Sequence, residues 1–104
     1  QTLNRNEVRM KWLEIIEIRS KGSNRRVIMK QLKVIVKEVR SKNEQQKIKV
    51  YNHGTIDGDF SLHLLHDTKG ADINGSVLGI QLTSALKELG LVNHTIWIEK
   101  HDKE

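Results

Sequence analysis

Neither cysteine nor proline occurs in the 104 residues. Without cysteine there is no disulfide, no zinc–thiolate centre and no thiol nucleophile, which fits a reducing, cytoplasmic setting. Without proline, no cis-proline turn shapes a site. Aromatics are scarce, with one Phe, one Tyr and two Trp, so each is a candidate anchor or ligand contact. No apolar run approaches the roughly 18 residues that span a bilayer, and no stretch reads as a signal peptide, so no membrane partner is expected.

What is present is charge, unevenly placed. The net charge is +5, yet residues 21–50 hold ten Lys and Arg against Glu38 and Glu44, a local +8 that leaves −3 for the rest. Such asymmetry marks either an anionic partner or one solvated helix face. The length suits a single domain with one modest core.

Apolar periodicity changes along the chain in a readable order. Residues 1–11 are polar and read as an N-terminal arm or extension, with Met10 a candidate native start; residues 12–104 read as one ferredoxin-like domain. Trp12–Arg19 is a strand apolar on both alternating sets, Leu13 and Ile15 on one and Ile16 and Ile18 on the other, as expected of a strand covered on both sides. Gly22-Ser23-Asn24 breaks it, with Ser23 or Asn24 available as a helix cap. From Arg25 to about Asn43, Ile28, Leu32, Ile35, Val36 and Val39 form a core stripe, while Arg26, Lys30, Lys33, Lys37 and Arg40 form a second, basic one.

Lys47–His53 alternates, with Ile48 and Val50 against Lys49, Tyr51 and His53. Asp57-Gly58-Asp59 is a turn signal, and Phe60–His66 returns as the second half of a hairpin. Ser76 caps a second helix that is predicted to run to Leu89, with Gly90 as a left-handed stop, before a last strand His94–Glu99. The order is β-α-β-β-α-β. It predicts an α+β ferredoxin-like sandwich, a four-stranded antiparallel sheet with two helices on one face.

The free face of that sheet is the place to look for function. It carries Tyr51, His53, Ser61, His63, Leu65, Thr95 and Trp97, too apolar to be simply wet and too polar to be plain core. A three-residue hairpin loop would pair His53 with His63 directly, making them candidate acid–base residues or an anion clamp. A metal would need a third ligand such as Glu99, so none is expected. Tyr51 and Trp97 would line a pocket for an aromatic ligand or anchor an interface. The Gly70…Gly75-Ser76 spacing lacks the lysine of a phosphate loop and reads as a loop with a cap, and no serine sits on a nucleophile elbow.

The strand pattern Trp12–Arg19, Lys47–His53, Ser61–Asp67 and Thr95–Glu99, with its hydrophobic second helix, resembles the dimeric α/β-barrel superfamily, which includes antibiotic-biosynthesis-monooxygenase-like proteins. The resemblance covers about residues 12–100 and rests on element order and length. It implies a homodimer with facing sheets, a small-molecule pocket between them, and in some members oxidation of aromatic substrates without cofactor. Haem-degrading members place a histidine on the second helix; this one has none, so that activity is disfavoured. No residue takes a catalytic role by the resemblance. The alternatives are a nucleic-acid-binding module using the basic first helix, or a non-catalytic structural or regulatory dimer. The third strand, Phe60–His66, lacks the aromatic pair by which RNA-recognition modules bind, so nucleic acid is an unfavoured partner, to be met only through phosphate contacts of Arg26, Lys30, Lys33, Lys37 and Arg40.

Overall fold

The computed structural model describes residues 9–100. Its elements are β1 (Met10–Arg19), α1 (Arg25–Lys42), β2 (Lys47–Asn52), β3 (Asp59–Thr68), α2 (Val77–Leu86) and β4 (Leu91–Ile98). All strand pairs are antiparallel, in the order β2-β3-β1-β4. This is the ferredoxin-like α+β sandwich that the periodicity predicts. No described helix is long and apolar enough to cross a membrane.

One continuous core joins the layers. Ile16, Ile18, Ile48, Phe60, Leu62 and Leu64 from the sheet meet Ile28, Leu32 and Val39 of α1 and Leu82 and Leu86 of α2. Both helices therefore cover the same sheet face. Helix α1 contacts β2, while α2 lies against β1 and β4.

Several boundaries differ from the sequence-based expectation. Strand β1 begins at Met10, two residues before the Trp12 start read from the sequence, with Met10 and Lys11 paired to Thr68 and Asp67; residues 1–8 of the expected arm lie outside the described residues. Helix α2 stops at Leu86, and Lys87–Leu89 continue as turns. Strand β4 begins at Leu91, three residues earlier than the alternation suggests. Gly90 is not left-handed. It is small for another reason: a Cβ there would press on the Arg19 carbonyl at 2.6 Å. Ser23 and Asn24 fold into a single 3-10 turn, and neither supplies a side-chain cap to α1. Ser76 does cap α2, its Oγ accepting from the Gly79 N–H at 2.9 Å.

Candidate functional site

The open sheet face is resolved row by row. Lys47, Leu65, Leu13 and Trp97 stand side by side across the four strands. The next row is Lys49, His63, Ile15 and Thr95, and the third is Tyr51, Ser61, Glu17 and Asn93. Of the two β1 sets, Leu13 and Ile15 thus take the open face, and Ile16 and Ile18 the core. Trp97 remains 58% exposed, its indole N–H donating to Thr95 Oγ1 at 2.9 Å. A groove of about 740 Å³ runs over this end of the face, with Lys11, Leu13, Lys47, Leu65 and Trp97 among its lining.

His63 is in the middle of this face. The Tyr51 ring packs against it, centroids 4.6 Å apart and tilted by 48°, and Ser61 Oγ lies 3.2 Å from its Nε2. Burial lowers the imidazole's pKa below 6.5; Glu17 raises it and Lys49 lowers it further, and the net direction is down. The ring is thus biased toward its neutral, proton-accepting form.

His53 is not its partner. Lys49 stands opposite His63, and Tyr51 opposite Ser61. The hairpin loop spans 53–58 rather than three residues, so His53 falls beyond β2. Its backbone N–H donates to Asp59 O at 2.8 Å, and its Nδ1 accepts from the N–H groups of Thr55 at 3.1 Å and Ile56 at 3.0 Å. His53 holds a turn. Tyr51, His63 and Trp97 share the open face; His53 lies at its hairpin end, lining a groove with Glu17, Ser61 and Asn93 rather than pairing with His63.

A second cluster, absent from the sequence-based candidates, lies on the other side of the sheet. Glu14 is fully buried among the core residues. Its Oε1 accepts from His66 Nε2 at 2.6 Å and from the Ser76 hydroxyl. Its Oε2 accepts from His94 Nε2 at 2.7 Å and from the Ser76 N–H at 3.2 Å. A carboxylate only accepts, so both imidazoles present Nε2–H to it. Ser76 is the first residue before α2, so the negative charge also sits at that helix's positive end. Burial raises the Glu14 pKa, but the bonds from Ser76, His94, His66 and the Ser76 backbone outweigh it, and the net shift is downward.

Space for this carboxylate comes from two glycines. A Cβ at Gly79 would overlap the Glu14 carboxylate, and one at Gly75 would overlap the His94 ring. Gly75 also adopts φ of +100°, which favours glycine. Trp12 completes the wall, stacking on His66 with centroids 4.1 Å apart and donating from Nε1 to Thr68 Oγ1 at 2.9 Å.

Chemically the cluster is an anchor. The Ser76 proton goes to Glu14 and its oxygen to the Gly79 N–H, so no histidine activates the hydroxyl. Among the described residues, no group of three or more His, Asp or Glu is arranged to hold a metal ion. The signal that could have found this cluster is alternation. Glu14 shares its set with Ile16 and Ile18, and His66 shares its set with Leu62 and Leu64. His94 shares its set with Ile96 and Ile98 on β4, so three polar side chains on inward positions of neighbouring strands have to satisfy one another.

No family model, curated protein or solved structure matches the chain.

Proposed function

We propose that the chain works as a homodimer whose two sheets face each other, enclosing a small organic molecule between them. The observation that carries this is the row Leu65, Leu13 and Trp97, in register on a face that no helix covers, with the indole left 58% exposed. Burying a fully exposed side chain of this size yields about 1.5–3 kcal/mol, and most of the gain here comes from Trp97, because Leu13 and Leu65 are already partly covered.

A second copy is the occupant that fits this face. Lys47 and Lys49 lie along the β2 edge and Glu17 on β1, so one surface carries both signs, which suits a self-complementary two-fold contact. Four strands spaced about 4.8 Å apart, with β1 roughly 33 Å long, form a platform on the scale of a stable interface of about 800 Å² per partner.

In this reading Tyr51, His63 and Trp97 line the chamber. His63 is the acid–base candidate, since burial favours its neutral form and a neutral imidazole accepts a proton from a ligand. The monooxygenase-like chemistry implied by the family resemblance would oxidise an aromatic ligand held in this chamber with dioxygen as the oxidant, and the resemblance assigns none of the three side chains a step in it.

Sedimentation and native mass spectrometry test this. A species of twice 12.0 kDa is expected, converted to folded monomer by Trp97→Glu or Leu13→Glu. His63→Ala should keep the dimer and lose a copurifying or soaked aromatic ligand. A wild-type monomer at high concentration, with one indole freely quenched by acrylamide while buried Trp12 is protected, would overturn it.

A further inference from the structure

Val50 lies on the helix side of the sheet, on the same alternating set as buried Ile48 and directly opposite buried Leu62, yet it is 38% exposed. An inward position should be covered. It is open because α1 and the β2–β3 hairpin leave a groove of about 500 Å³ between them, with Val50, Leu32 and Phe60 among its apolar lining. That volume is within the range of small-ligand pockets, roughly 300–1,000 Å³.

Apart from the neutral Asn52, the polar lining has one sign. Lys33, Lys37 and Arg40 come from successive turns of α1, and no acidic residue lines the groove. Arg40 is also held in place, its Nη2 donating to the Ile48 carbonyl of the edge strand β2 at 3.2 Å. An apolar surface next to three cations matches a ligand with an apolar body and an anionic head.

We propose that this groove is a binding site for an amphiphilic organic anion, a long-chain or aryl carboxylate being the simplest member. The apolar body lies on Val50, Leu32 and Phe60, completing the core at the corner that α1 leaves open. The carboxylate meets Lys33, Lys37 and the positioned Arg40. The site is on the opposite side of the sheet from the proposed dimer face, so it stands or falls independently of that reading. It also gives part of the basic α1 stripe a defined ligand in place of a diffuse phosphate contact.

The test uses dodecanoate below its micellar concentration, with dodecyltrimethylammonium as the cation of matched tail, followed by calorimetry and amide chemical shifts. Dodecanoate should saturate at one per chain and shift residues 29–40 and 50–52, while the cation should not bind. Reversing one head contact with Lys37→Glu should weaken dodecanoate about tenfold, and Lys33→Glu with Lys37→Glu more than that. Because Val50 is already exposed, Val50→Asp gives a second, folded variant that should abolish binding. Equal affinity for the cation, absence of saturation, or shifts confined to Leu13 and Trp97 would each overturn the proposal. So would displacement of dodecanoate by an oligonucleotide with steep salt dependence, which would identify a phosphate-backbone surface instead.

Discussion

Gly79 sits directly over the Glu14 carboxylate, so close that a single added methyl would occupy the space of Oε2. A residue near the start of α2 and one in the middle of β1 thus define each other's identity. The helix must have no side chain there because the strand has a charged one.

Gly79→Ala should destabilise the fold by about 2–4 kcal/mol, since either the helix lifts or the buried carboxylate loses its donors. Gly54→Ala is the control. Nothing lies within 4 Å of a Cβ there, and its φ is not left-handed, so the change should stay within about 1 kcal/mol of wild type. Urea unfolding of both variants checks the contrast. Equal midpoints would refute the tight Gly79–Glu14 packing.

Glu14→Gln should cost about 3 kcal/mol, because the amide offers donors where four donors already converge. It should also change the acid limb of stability. The folded-state pKa of Glu14 is lowered. Its stabilising contribution is therefore complete above the unfolded value of about 4.3 and is lost as pH falls through the lower folded value. Urea midpoints measured from pH 6 down to 2.5 should show a smaller acid loss in the variant than in wild type.

His63 should titrate below 6.5 by NMR. Glu17→Gln, which removes the one charge raising its pKa, should move it lower still. The unfolded chain binds this proton more readily, so His63 erodes stability as pH falls through about 6.5 and stops doing so below its folded value. An unshifted titration in the Gln variant would contradict an influence of the Glu17 charge on this ring.

His53→Ala should remove the acceptor of two turn N–H groups and cost about 1 kcal/mol, without altering oligomeric state or ligand binding. The same substitution at His63 should have the opposite profile, little stability change and a lost ligand. Paired thermal melts and binding titrations separate the two histidines.

Much of the fold was legible because periodicity is local. The alternation of Ile48 and Val50 with Lys49 and Tyr51, and the 3.6-residue stripe Ile28–Val39, encode β2 and α1 within a few residues of each other. Their order implies the sandwich, because each apolar face needs one partner layer. The open-face trio Tyr51, His63 and Trp97 was legible for the same reason. The place of His53 was not, because one extra turn of hairpin loop moves the register and nothing nearby in sequence reports loop length.

From composition and pattern alone came the element order, the two faces of the sheet and the basic side of α1, all set by neighbours a few residues away along the chain. Only the packed structure revealed that Glu14, His66, Ser76 and His94 meet around one buried charge, and that Val50 is left uncovered. Those residues are separated by as many as 80 positions. Whether a polar inward residue finds donors, or an apolar one finds cover, depends on distances that exist only once strands and helices have docked.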